Sequence, residues 1–148
     1  MRIALAADHA GYPLKDELVR WLSELGHDVT DLGTNGPESV DYPEYGARLA
    51  RAVASGDAER GIAVCGSGIG ISIAVNREPK CRCARVDDPL SAELAREHND
   101  ANVLALGARL VGSDMAKACV SAFLDTNFGG GRHQRRVDQL SQLLQESD

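Results

Sequence analysis

"GIAVCGSGIGISIA", Gly61 to Ala74, is the stretch that decides the fold. Its first five residues form a short apolar run, the pattern of a strand buried on both faces. Gly66, Gly68 and Gly70 then follow Cys65 at alternate positions and let the backbone turn without a Cβ penalty. A strand that runs through a glycine turn to a helix N-terminus is a building block of parallel α/β sheets.

Outward from this stretch, "RIALAA" (Arg2 to Ala7), "DVTDL" (Asp28 to Leu32), "RCARV" (Arg82 to Val86) and "NVLAL" (Asn102 to Leu106) read as four further strands. Between the first two, Leu14, Leu18, Trp21, Leu22 and Leu25 fall on one helical face that Gly26 ends. Tyr45, Leu49 and Val53 repeat the pattern before Gly56. Asp88 and Pro89 have the chemistry of an N-cap followed by proline at the first helical position, with Leu90 and Leu94 as the expected buried stripe. Met115, Cys119 and Phe123 mark another helix, and Val137, Leu140 and Leu144 the last. This alternation predicts an α/β protein, a three-layer α/β/α Rossmann-like fold with a five-stranded parallel sheet. The 148 residues fit one domain over 1–148.

Hydrophobic residues at 43% and charged residues at 26% are ordinary globular usage, and no apolar run approaches the roughly 20 residues of a membrane span. Asp8 and His9 interrupt the N-terminal apolar run, which is too short for a secretion signal. A cytoplasmic protein without membrane partners is expected. A net charge of -6 and only 4% aromatics argue against a nucleic-acid partner. The four cysteines lack a paired CxxC pattern, and the CxC of Cys81 and Cys83 has no matching second pair, so free thiols and no metal site are expected. Lys15, Lys80 and Lys117 lie away from every motif, which weakens a Schiff-base mechanism.

Open parallel sheets bind ligands at the carboxyl ends of their strands. Asp8 and His9 follow the first strand, Cys65 to Gly70 the third, Asp87 the fourth and Arg109 the fifth. A helix N-terminus favours the thiolate of Cys65, and the amides of the glycine turn converge on a point where a phosphate or a developing oxyanion fits. Cys65 alone reads equally well as a small buried hydrophobe before a tight turn. The stretch is not a P-loop, because Gly70 is followed by Ile71 and Ser72. A dinucleotide site wants a small residue where Ile71 stands, although Asp87 lies at the right distance for a ribose partner.

"GGGRHQRR", Gly129 to Arg136, places arginines in the first turn of a helix, at the positive end of its dipole. Arg132 and Arg136 share a face, and their planar guanidinium forks suit a phosphate monoester; the plain alternative is a solvated basic patch. In "EHNDAN", His98 is a residue of the type that serves as an acid, or else complements its helix dipole with Asn99 or Asp100 in the left-handed cap. Asp8 and His9 raise the same choice between local cap and site.

"DHAG", "DYP", "CGSGIGISIAVN", "EHNDANVLALGAR" and "GGGRHQRR" together resemble, in order and spacing, the ribose-5-phosphate isomerase B family, which includes allose- and galactose-phosphate isomerases. The resemblance spans nearly all of residues 1–146. It implies an aldose–ketose isomerase acting on a sugar phosphate through a cis-enediolate, without metal or other cofactor. It implies Cys65 as the base between C2 and C1, Ser67 as proton shuttle, and the amides of Gly66 to Gly70, Gly68 among them, as holders of the enediolate. His98 would open the furanose ring while Asp8 and Tyr42 bind hydroxyls. His9, Arg132 and Arg136 would clamp the phosphate, with Asn99 and His133 lining the same cleft. Arg109 matches an arginine that reaches a neighbouring subunit's phosphate, so a homodimer at least is implied, with pairing into tetramers left open. A second branch of the family carries a carboxylate base where this chain has Ile71, and the cysteine places the chain in the thiol branch. The chain departs from many relatives at Cys83, near Arg85 and Asp87. Ribose 5-phosphate is the leading substrate; a hexose 6-phosphate isomerase and a non-catalytic sugar-phosphate sensor are the alternatives.

Overall fold

The computed structural model describes residues 1–145. Five strands, β1 (Arg2–Ala7), β2 (Asp28–Asp31), β3 (Arg60–Cys65), β4 (Cys83–Arg85) and β5 (Val103–Gly107), form one sheet. It is parallel throughout, in the order β2-β1-β3-β5-β4. Five helices follow the strands in turn: α1 (Tyr12–Glu24), α2 (Tyr42–Ala54), α3 (Ile69–Val75), α4 (Pro89–Asn99) and α5 (Ser113–Asp125), and α6 (Arg132–Gln145) closes the described chain. The fold is the α/β/α arrangement read from the sequence.

Side-chain alternation along the strands builds two unequal cores. Ile3, Leu5, Ile62, Val64, Leu104 and Leu106 face α1, α4 and α5. Ala4, Ala6, Ala63 and Ala105 face α2 and α3, and these small residues let that layer approach closely. An added Cβ at Gly46 on α2 would come within 2.8 Å of the Ala74 methyl of α3. Burying each large aliphatic side chain contributes about 1.5–3 kcal/mol.

Helix ends follow the local chemistry. Asp88 caps α4 by accepting the Ser91 amide at 2.8 Å, with Pro89 next in line. Gly26 and Gly56 take positive φ just after α1 and α2, where a left-handed residue ends a helix at least cost.

The buried stripe expected of α4 is corrected: Leu90 is 61% exposed and Leu94 38%. Ala92, Ala95 and the aliphatic stem of Arg96 face inward instead. α4 packs against α5, and its small residues permit an approach that two leucines would block. Leu25, Met115 and Leu140, also placed on apolar faces by spacing, are exposed, whereas Cys119, Phe123 and Val137 are buried. The side chain of Leu144 lies outside the described residues.

The chain leaves β1 toward β2 on one side and continues from β3 toward β4 on the other, so the strand order reverses between β1 and β3. Ligands of open α/β sheets bind in the crevice at that reversal, beyond the carboxyl ends of the strands. Asp8 and Cys65 stand at those two ends.

Candidate active site

A cleft of about 310 Å³ opens at this point, lined by Asp8, His9, Ala10, Tyr42, Cys65, Gly66, Ser67, Gly70, Arg109 and Leu110. Its floor is the turn from β3 to α3. Gly68 adopts φ +76° as the cap of α3, and its amide donates to Cys65 Sγ at 3.1 Å. That contact holds the sulfur at the floor of the cleft. Ser67 Oγ accepts the Ile69 amide at 3.1 Å, so its hydroxyl hydrogen is free to point elsewhere. The turn is pinned to neighbouring loops: Ala108 N donates to Cys65 O at 2.9 Å, Arg109 N to Gly66 O at 3.0 Å, and Arg85 Nε to Ser67 O at 2.9 Å.

Asp8 is both cap and wall. Its Oδ1 accepts the amides of Ala10 and Gly11, each at 3.0 Å, which turns the chain from β1 into α1 while the residue lines the cleft. His9 Nδ1 lies 3.1 Å from the Val40 amide and 3.2 Å from the Val40 carbonyl oxygen. One ring nitrogen therefore has an acceptor available when protonated and a donor when not, and Nε2 is left for other partners. Tyr42, the first residue of α2, packs over Gly70, where an added Cβ would meet ring carbon Cζ at 2.6 Å. The guanidinium of Arg109 lies on Gly66, with Cζ and Nε both 3.4 Å from an added Cβ there.

The remaining candidate residues gather elsewhere. His98 and His133 stack with ring centroids 4.4 Å apart and planes 17° from parallel. Gly129 N donates to Glu97 O at 2.9 Å, which brings the glycine loop against the end of α4. Asn99 and Arg136 line a separate hollow of about 530 Å³ with Gln139, Leu140, Gln142 and Leu143. Burial first, then the charges of His98, Arg132 and Arg136, hold His133 below the ordinary imidazole value. Among the described residues Arg132, Arg135 and Arg136 form no ion pair.

One chain thus unites Asp8, His9, Tyr42, Cys65, Gly66, Ser67, Gly70 and Arg109, with Gly68 at the floor. It separately unites His98, Asn99, Arg132, His133 and Arg136. Within a single chain His9 lines the cleft while Arg136 lines the separate hollow beside α6. Arg109 lines its own chain's cleft.

The other thiols are set apart from this chemistry. Burial pushes Cys81 up to about 11 and Cys119 to about 11, and raises Cys83 further. Cys81 Sγ contacts the Ala50 carbonyl at 3.5 Å. Two residues of the site carried no sequence signal. Val40 holds His9 through its backbone across 31 residues, and Arg96, buried two residues before His98, donates to the Thr126 carbonyl.

A profile described as Ribose/Galactose Isomerase matches residues 3–140. The chain belongs to that family. It is an aldose–ketose isomerase by that membership, and the cleft beside Cys65 sits where its fold gathers polar groups. Ribose-5-phosphate isomerase B of Escherichia coli (strain K12) is 46% identical over 144 residues, covering 97% of each chain. The solved structure of ribose-5-phosphate isomerase B from Clostridium thermocellum superimposes with a TM-score of 0.99 at 47% identity over 100% of both chains. That of the Thermotoga maritima enzyme gives 0.94 at 44% identity, covering 95% of this chain and 97% of that one. No helix among the described residues is long and apolar enough to cross a membrane.

Proposed function

We propose that the protein interconverts ribose 5-phosphate and ribulose 5-phosphate through a cis-enediolate, with the Cys65 thiolate as base. The observation that carries this reading is the Gly68 amide at 3.1 Å from Cys65 Sγ, on the floor of a polar cleft. The names of the relatives, each a ribose-5-phosphate isomerase B, support the pentose.

The steps need no outside electron acceptor, because the aldose and the ketose stand at the same overall oxidation level. His98 gives a proton to the ring oxygen while the C1 hydroxyl loses its own to solvent, from which His98 is re-protonated, and the furanose opens to the aldehyde. Cys65 takes the proton from C2, and the electron pair moves onto O1. The amides of Gly66 and Gly70 hold the resulting enediolate, while that of Gly68, expected to share in this, is engaged by Cys65 Sγ; one such donor is typically worth about 10² to 10³ in rate. The thiol then returns the proton to C1, while Ser67 passes the O2 proton to O1. Asp8 and Tyr42 hold hydroxyls, and His9 and Arg109 approach the phosphate from the cleft's own chain.

The second half of the site comes from another copy in a homodimer. In support, His98, Asn99, Arg132, His133 and Arg136 gather away from their own cleft, with Arg132 and Arg136 supplying positive charge. Apolar side chains stand exposed beside both halves: Ile69 and Ile73 on α3, Leu140 and Leu143 on α6. The partner's Arg132 and Arg136 complete the clamp on a dianion that His9 and Arg109 already face. On the same reading residues 1–148 are one catalytic domain working in the cytoplasm.

The test is turnover of ribose 5-phosphate in D2O, with allose and galactose 6-phosphates alongside and Cys65→Ala as control. Ketose formation with deuterium exchange at the transferred carbon is expected for the pentose, and binding without turnover for the variant. A faster hexose reaction overturns the pentose assignment. Binding without turnover by the wild type overturns catalysis altogether.

A further inference from the structure

Three successive residues at the end of α4 each grip the chain that leads into α6. Arg96 Nε donates to the Thr126 carbonyl at 3.1 Å. The Glu97 carbonyl accepts the Gly129 amide at 2.9 Å. His98 stacks on His133 with centroids 4.4 Å apart. Beyond this clasp α6 has little to hold it. Val137 is its one buried residue among those described, and the helix joins neither hydrophobic core.

Arg96 is the anchor of the clasp. Only 3% exposed, it also donates Nη1 to Ala101 O at 2.7 Å and to Asp100 Oδ1 at 2.8 Å, and its guanidinium lies 6.0 Å from the Phe123 ring centroid. One planar fork therefore joins the end of α4, the entry to β5, the α5 ring and the start of the loop to α6. Asp100 is fixed in turn, holding φ +46° and an ion pair with Arg82 at 3.4 Å. A buried cation satisfied on this many sides gives geometric definition that an apolar side chain would not.

We infer that Arg96 is a positioning residue that makes the end of α4 and the start of α6 one rigid body, delivering His98 and Arg132 and Arg136 to the partner's cleft as a unit. The inference rests on the shared-site reading above. Its mechanical content is that phosphate capture and ring opening are coupled through a side chain that touches neither substrate nor cleft. Loosening the clasp moves acid and clamp together, and a misplacement of about 1 Å costs on the order of 10²-fold in rate.

The experiment compares Arg96→Gln and Arg96→Lys with Leu22→Ala, a change in the α1 core face remote from the clasp. Each is measured for urea midpoint, kcat, KM, inhibition by inorganic phosphate, and the ring contacts of His98 and His133 by NMR. Arg96→Gln is expected to lose about 10²-fold in kcat/KM, with weaker phosphate inhibition and a broken imidazole stack. Arg96→Lys keeps the charge beside Asp100 but not the fork, and is expected to recover part of both losses together. Leu22→Ala is expected to lower the midpoint while leaving kinetics and stack as in the wild type.

Wild-type kinetics in a folded Arg96→Lys or Arg96→Gln protein overturns the inference. So does an equal kinetic loss in Leu22→Ala at matched midpoint, since stability would then explain everything. His98→Asn and Arg132→Ala are run beside them. If those two keep wild-type kcat/KM the shared-site reading fails and takes the inference with it; if they fall while the Arg96 variants do not, the inference alone fails.

Discussion

Gly70→Ala separates what the β3–α3 turn does for folding from what it does for the reaction. A Cβ at position 70 would lie 2.6 Å from Tyr42 Cζ, 2.8 Å from Cε2 and 3.0 Å from Cε1. Carbon atoms rest at about 3.5–4.0 Å, so the ring must retreat by about 1 Å. Tyr42 is 41% exposed and only the far part of its side chain is struck, so it swings outward at small cost. Alanine in a helix gains about 0.5–1 kcal/mol over glycine, which offsets that cost, and the amide of residue 70 is retained. Stability should stay within about 1 kcal/mol of the wild type. Displacing the Tyr42 hydroxyl by about 1 Å should lower kcat/KM by on the order of 10²-fold, or about 2.7 kcal/mol of transition-state stabilisation.

The assay is a double-mutant cycle of Gly70→Ala with Tyr42→Ala, read by urea unfolding and by kcat/KM for ribose 5-phosphate. With no ring to strike, the Gly70→Ala penalty should vanish in the Tyr42→Ala background. A full penalty in that background, or a stability loss above about 2 kcal/mol, would refute the reasoning. The first result would assign the effect to the turn's amides, and the second to packing.

Gly68→Ala should behave in the opposite way. Its φ is +76° and an added Cβ meets the Leu106 carbonyl carbon at 2.8 Å, an obstacle of backbone that cannot swing aside. Left-handed strain of about 1–2 kcal/mol and overpacking of about 1–3 kcal/mol should lower the urea-derived stability by about 2–5 kcal/mol. A near-neutral change would mean the turn is not pinned against β5. His133 is held below the ordinary imidazole value, chiefly by burial and then by His98, Arg132 and Arg136. The unfolded chain therefore binds that proton more readily, and stability is fully present above about pH 6.5 and lost as pH falls through the lower folded value. His133→Asn should flatten that part of the urea midpoint against pH, and an unchanged slope would contradict it. Cys81 and Cys119, both pushed up to about 11 by burial, give the reverse case. Their contribution is present below about pH 8.5 and lost as pH rises through about 11, so Cys119→Ala should reduce the alkaline slope of the same measurement.

The strands were legible because parallel sheets leave short apolar runs that little else produces. All five appear within a residue or two of the runs that announce them, as with Asn102 to Leu106 against Val103–Gly107. Helix faces were less legible. Spacing marks Leu90 and Leu94 as a stripe, but a helix turns inward whichever face lets its neighbour come closest. On α4 that face holds Ala92, Ala95 and a guanidinium. Burying Arg96 depends on the Thr126 and Ala101 carbonyls, which become partners only in three dimensions.

The candidate site divides along the same line. Residues at strand ends could be gathered from sequence, because one rule places every such end at one edge of the sheet. Asp8, His9, Cys65, Ser67 and Arg109 meet in one cleft for that reason. His98 and the arginines of α6 follow no strand-end rule, and no reading of one chain tells which cleft they serve. Their charge is the informative trace. In a chain of net charge -6, a stacked histidine pair and arginines at the positive end of a 14-residue helix gather without an ion-pair partner of their own among the described residues. Such a cluster opposes its helix dipole and itself. Within one subunit it is unfavourable; in the homodimer proposed above it becomes the counter-charge to a phosphate dianion that the cleft's own His9 and Arg109 leave incomplete. The half of the site that one chain does not bring to its own cleft is therefore also the half whose charge the proposed second copy answers.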